Sequence, residues 1–214
     1  MLHDPTRLTY TGFSAAYDHF NEALFGGRLP RCLITMQRKN GALGYFAPER
    51  FGEMVGDGKT DEIALNPVHF KGRTVEDTLS TLVHEMTHLE QQHFGTPSRG
   101  GYHNKEWAGL MKRVGLQPSH TGLPGGKETG PRMTHYIVDG GRFTVACAAL
   151  LAEGFALRYA DVWGEEKKAE KQKKAASKTK YTCTGCDLNV WGKPDLHVEC
   201  GECGFRLVAE ETDE

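Results

Sequence analysis

The stretch LVHEMTHLEQQ, residues 82–92, places His84 and His88 four positions apart, with Glu85 directly after the first histidine. A helix turns by about 100° per residue, so side chains four apart lie one above the other on a single face. Both imidazoles can then bind one metal ion. Glu85, about 100° round, can reach a water molecule at that ion without ligating it. The flanking pattern predicts a helix on independent grounds. Thr74 stands before Val75 as an N-cap, with Asp77 three residues on as capping-box partner. Leu79, Leu82, Val83, Met86 and Leu89 make an apolar stripe. The two histidines stand off that stripe, and burying unpaired imidazoles beside a carboxylate would cost free energy unless a metal or hydrogen bonds compensate.

Upstream, TGFSAAYDHFNEALFGGRLP (11–30) reads as an opening helix carried by Phe13, Tyr17, Phe20 and Leu24, and stopped by Gly26-Gly27. CLITMQ (32–37), LGYFAP (43–48) and EIALNP (62–67) read as short strands separated by turn-forming residues. Downstream, NKEWAGLMKRVG (104–115) is a further helix closed by Gly115. Residues 117–132, rich in Gly, Pro and Ser, read as loop. HYIVDGGRFTVA (135–146) reads as a hairpin turning at Asp139-Gly140-Gly141.

A catalytic zinc takes three protein ligands and keeps one position open. His93 lies about 140° round the helix from His88 and is expected to face solvent or cap the helix. The spacing of metzincins fails, because Gln91 and Phe94 stand where its Gly and third His belong. Two residues remain open as third ligand. His103, in GGYHNKEW, follows a glycine pair that lets the chain fold back; Glu106 lies near the distance at which gluzincins supply a carboxylate.

The six cysteines divide unevenly: Cys32 and Cys147 stand alone, whereas Cys183, Cys186, Cys200 and Cys203 form two CxxC pairs separated by thirteen residues. Two such pairs close on one tetrahedral ion, and four thiolates leave no open position, so this second zinc is expected to be structural. It would hold together residues 181–214, a module too small to fold on apolar burial alone. Trp191 and Phe205 are expected in the core of that ribbon, and His197 on its surface.

The net charge of −2 gives no global attraction to nucleic acid or acidic membranes, and no run has the length of a membrane span. MLHDPTRLTY lacks the apolar segment of a secretory signal, so a cytoplasmic protein is expected. Near Trp163 the composition changes. Residues 164–180 carry a net charge of +4 with no apolar side chain larger than alanine, the mark of a solvated linker. The organisation expected is thus a domain at 1–163, a lysine-rich linker at 164–180 and a ribbon at 181–214.

The ordered run FNEALFGGRLP, LGYFAP, EIALNP, TLVHEMTHLEQQ and GYHNKEW resembles the SprT-like metallopeptidase family, which includes bacterial SprT proteins and the eukaryotic Spartan proteases. The likeness extends over roughly residues 10–160 and again through the cysteines. It implies an α+β, zincin-like domain with helices packed on a small mixed or antiparallel sheet. It also implies one catalytic Zn²⁺ on His84, His88 and His103, with Glu85 as general base in the hydrolysis of protein substrates. The family's third-ligand turn is often GHG, whereas this chain has Gly101-Tyr102-His103-Asn104. Tyr102, His135 and Tyr136 are candidates for stabilising an oxyanion.

Spartan-type members cleave proteins crosslinked to DNA, so the resemblance also implies DNA as a partner. The ribbon, at −6, would repel a duplex on average. Basic density lies instead in 26–50, in 97–132 (+4) and in 164–180. No membrane partner is expected, and nothing in the sequence sets an oligomeric state. The rival readings are a non-catalytic zinc adaptor acting in transcription, for which Glu85 would have no use, and a nuclease, which would favour carboxylate-rich Mg²⁺ sites.

Overall fold

The computed structural model describes residues 4–162 and 178–209. The chain divides into two compact units, Met1–Asp161 and Val162–Glu214. Most of the lysine-rich stretch 164–180 lies outside the described residues.

The first unit is an α+β structure. Helix α1 (Pro5–Phe25) starts earlier than its apolar periodicity indicates, because Asp4 caps it by accepting from the Arg7 N–H (3.0 Å) and Pro5 pre-sets the first turn. Residues 5–11 are mostly exposed, so they carry no apolar pattern to read. Gly26 ends the helix in the left-handed conformation (φ 66°). Phe13, Tyr17, Phe20 and Leu24 all point into the core.

Strands β1 (Leu33–Met36), β2 (Gly44–Gly52) and β3 (Lys59–Leu65) form a sheet in the order β1-β3-β2. The sheet is mixed. β1 runs parallel to β3 with Ile34 opposite Ile63, and β2 runs antiparallel to it with Phe46 opposite Ile63. The two longer strands extend beyond their sequence signals, with a register shift between Ala47 and Phe51 where Glu49 takes a positive φ and its N–H bonds Asp61 Oδ1 (2.7 Å).

Helix α2 (Val75–Phe94) crosses the sheet as the central element. Its capping box is complete: Asp77 N–H donates to Thr74 Oγ1 (3.0 Å), and Thr74 N–H to Asp77 Oδ2 (3.3 Å). Leu79, Leu82, Val83, Met86 and Leu89 are essentially inaccessible and pack with Phe13, Phe20, Ile63 and Leu65. Burial does not stop at that stripe, for Ser80, His84, Glu85, Thr87 and Glu90 are buried too. Glu90 is held between Arg28 and Arg113, so its charge is compensated within the fold.

Helix α3 (Lys105–Val114) is capped by Asn104, whose side chain accepts from Trp107 N–H (2.9 Å), and closes at Gly115 in the left-handed region. Two sequence expectations fail just after it. Residues 117–119, expected in a loop, belong to β4 (Leu116–Ser119), and its partner is β5 (Thr134–Ile137). Pro118 disguised β4, but a two-stranded ribbon has free edges that tolerate a residue without an N–H. The hairpin expected at 135–146 does not exist: the chain leaves β5, turns at 139–141 and enters helix α4 (Arg142–Ala152). Phe143, Ala146, Cys147 and Leu150 recur at helical spacing and are buried, with Phe143 stacked on Phe20 at 5.7 Å. Burial of that stripe outweighs the local turn signal.

In the second unit β6 (Thr179–Cys183) pairs antiparallel with β7 (Asn189–Gly192) and β8 (Leu207–Ala209). Its apolar interior is little more than Tyr181, Leu207 and partly buried Val190 and Val198 around the cysteines. Tyr181 Oη donates to Lys193 O (2.7 Å) and accepts from Leu196 N–H (2.9 Å). Trp191 and Phe205, expected in this core, are 62% and 56% exposed. The strands are so short that the cysteines take up the interior.

Candidate metal centre

Ligand atoms of His84, His88 and His103 all lie within 4.8 Å of one another. α2 supplies the first two on one face, and the turn before α3 brings in the third. That turn is anchored by a two-way backbone bridge, His103 N–H to Gly130 O (2.9 Å) and Gly130 N–H to His103 O (3.1 Å). Glu106, the rival third ligand, is absent from the group. It accepts instead from Gln91 Nε2 (2.8 Å) and Thr96 N–H (2.9 Å), ordering the segment between α2 and α3. His93 is also elsewhere: it is exposed, as expected, and its Nε2 meets Asp61 Oδ2 at 2.6 Å, tying the end of α2 to β3.

Each imidazole of the triad is held by something other than a metal. His103 Nδ1 lies 3.2 Å from Gly130 O, which can only accept, so the ring's proton is on Nδ1 and Nε2 is bare. His88 lies flat against the fully buried Trp107 indole (5.2 Å, 19° between planes). His84 Nδ1 lies 3.0 Å from His135 Nδ1. Three imidazoles whose ligand atoms come this close suit a borderline-soft divalent ion such as zinc.

Glu85 lies beside the triad, 5% exposed, and the two neighbours share a cleft of about 650 Å³. The cleft is walled by β2 residues 44–46 on one side and by 97–103 and 131–135 on the other. Burial pushes the Glu85 carboxyl up to about 8 in the metal-free protein, with Lys39 and the Phe46 N–H acting the other way. Burial likewise pulls His88 down to about 3 and His135 to about 4, and His84 well below its ordinary range. The pH dependence of the metal-free fold follows. Groups with depressed values give stability that is complete above about 6.5 and is lost as pH falls toward 4 and 3. Glu85, raised, leaves stability intact below about 4.5 and removes it as pH rises through about 8. At least three histidines outweigh the one carboxyl below about 6.5, so thermal unfolding of metal-free protein is expected to show a maximum near about pH 6.5–7, and Glu85→Gln to flatten the fall toward pH 8.

β2 approaches Glu85 closely because residue 44 has no side chain. A Cβ there would lie 2.8 Å from Ala64 O, 3.0 Å from Thr81 Cγ2 and 3.3 Å from Glu85 Oε1. Backbone cannot yield cheaply, so Gly44→Ala is expected to destabilise the fold by about 1–3 kcal/mol in urea titrations.

Of the remaining sequence candidates, Tyr102 lines the cleft, with the Arg99 guanidinium 5.5 Å from its ring centre. Tyr136 is not among the lining residues. His135 has both ring nitrogens engaged, Nδ1 by His84 and Nε2 by Ser80 Oγ (2.9 Å). His120 was not singled out by its sequence context, yet it lines the cleft. Its Nδ1 accepts from Lys127 N–H (2.8 Å), leaving the N–H at Nε2. Only the fold brings that residue in, so no local signal marks it.

The profile of the SprT-like family matches residues 13–129, more than half of the chain, from within α1 to the residue before Gly130. The chain belongs to the SprT-like family. An uncharacterized protein in the mucB 3′ region of Salmonella typhimurium is 46% identical over 59 residues, 28% of this chain and 80% of that protein. The matched region of this SprT-like protein contains the three histidines and Glu85; His135 and the four cysteines lie beyond it.

Those cysteines form a second group, again with ligand atoms within 4.8 Å of one another. Cys183 Sγ is 3.4 Å from Cys203 Sγ, and Cys186 Sγ is 3.6 Å from Cys200 Sγ. A disulfide needs about 2.0 Å, whereas thiolates on a tetrahedral zinc stand about 3.8 Å apart. The spacing fits an ion. The Cys203 and Glu202 backbone N–H groups bring the Cys200 thiol down to about 7, whereas hydrogen bonding with Cys183 and the other thiols pushes Cys203 up to about 12, so one negative charge is favoured within the metal-free group. Among the described residues, no helix is long and apolar enough to cross a membrane.

Proposed function

We propose that this SprT-like protein is a zinc-dependent endopeptidase that hydrolyses proteins, including proteins bound or crosslinked to DNA. The observation that carries the reading is Glu85, buried in the cleft beside three histidines whose ligand atoms converge. A structural site has no use for such a carboxylate. A zinc ion held there supplies Lewis acidity, polarising a scissile carbonyl and lowering the pKa of water toward about 7. His84, His88 and His103 hold the ion. Glu85 takes a proton from the attacking water onto its carboxylate and returns it to the departing amine nitrogen. Tyr102 and the His120 Nε2–H, both of which line the cleft, serve as donors to the developing oxyanion. β2 has a partner on one side only, so its free backbone groups are offered to an extended polypeptide. The four cysteines hold a second, structural zinc.

DNA as a partner is supported by charge: Lys39, Arg99 and Arg132 line the cleft, and Glu85 is the sole carboxylate among its lining residues. The test is incubation of an unfolded protein and of a DNA-bound protein with wild type and Glu85→Gln, each with and without single-stranded DNA. Cleavage by wild type alone is expected, faster on the DNA-bound substrate. Equal cleavage by both proteins would remove the hydrolytic assignment; indifference to DNA would remove the partner.

A further inference from the structure

The hydrogen-bond chain behind His84 has a direction. Ser80 Oγ donates to Asp77 O at 2.8 Å, and a carbonyl oxygen can only accept, so the single hydroxyl proton is used there. The hydroxyl must then accept from His135 Nε2, 2.9 Å away, which places the His135 proton on Nε2 and leaves Nδ1 as a bare acceptor. His84 Nδ1, 3.0 Å from that acceptor, must in turn be the donor. One imidazole tautomer remains for His84: proton on Nδ1, lone pair on Nε2.

We propose that His135 is a positioning residue that, backed by Ser80, locks His84 in the Nδ1–H tautomer and so presents its Nε2 to the metal. Ser80 is buried, four positions before His84 on the same face of α2, and His135 arrives from β5, where it stands opposite Pro118. The three side chains therefore join two elements that are distant in sequence. His135 does not belong to the ligand group itself, and with both nitrogens committed it is not a donor to substrate. Partners of this kind orient a ligating ring and raise its basicity, and their loss weakens metal binding about 10–100-fold.

The inference rests on the triad being a metal centre but not on peptidase activity, and its test separates the two. In the full chain, Co²⁺ gives thiolate charge-transfer bands at the cysteines and weaker d–d absorption at the histidines, so the two sites titrate distinguishably. His135→Leu, which removes both polar atoms, is expected to weaken Co²⁺ binding at the histidines about 10–100-fold while leaving the thiolate bands unchanged. His135→Asn, whose Oδ1 stands near the lost Nδ1, is expected to recover most of that loss. Nitrogen NMR of metal-free wild type, which needs no variant to fold, is expected to show His84 as the Nδ1–H tautomer. An Nε2–H tautomer there, or unchanged Co²⁺ affinity in a folded His135→Leu, overturns the proposal. Absence of proteolysis with both metal readouts as expected would count against the peptidase reading alone.

Discussion

Glu85→Gln is expected to slow peptide cleavage by about 10²–10⁴-fold while the protein keeps its full metal content. Glutamine fills the same space between His84 and the backbone of β2, where a Cβ on residue 44 would come within 3.3 Å of Glu85 Oε1. It removes only the capacity to take up a proton. The carboxylate is outside the ligand group, so the three histidines are undisturbed. Metal analysis beside a time course of cleavage decides the matter: loss of metal would make Glu85 a ligand, and undiminished turnover would leave it without a catalytic role. The burial that raises its pKa toward 8 also predicts that the variant is the more stable protein at alkaline pH once the metal is removed.

Replacing Cys183 and Cys186 together by serine is expected to unfold the second unit. Its interior is Tyr181, Leu207 and a few half-buried side chains, too little to offset the conformational entropy of a chain this short. Structural zinc contributes about 10–16 kcal/mol of apparent binding energy to such modules, and that energy is their folding energy. The pair change should remove one equivalent of zinc per chain and collapse the amide spectrum of residues 179–209 to coil positions. The transition of the first unit, which has its own core, should remain. A dispersed ribbon spectrum without metal would show that the strands hold by themselves.

The start of α2, its capping box and the facing pair His84 and His88 were legible because each depends on residues within four positions. The same is true of the CxxC pairs, whose two-residue spacing nearly dictates a metal knuckle. Local periodicity misleads where a residue's partner lies far away in the chain. The segment 135–146 contains a sound turn signal, yet β5 pairs back to β4 and the residues after the turn bury Phe143 and Leu150 as a helix. Trp191 and Phe205 look like core residues until the strands around them prove too short to cover them.

By itself, then, the sequence determined a mixed α+β chain with two histidines and a glutamate on one helical turn, and a four-thiolate module after a basic stretch. The family resemblance had already pointed to His103; the tertiary structure brings it to the triad, spends Glu106 on Gln91 and Thr96, and alone decided that His135 and Ser80 stand behind His84. The reason is range: helix capping and periodicity act over a turn or two, whereas these groups meet only after β4–β5 pairing and α2–α3 packing bring together residues up to 55 apart in the chain.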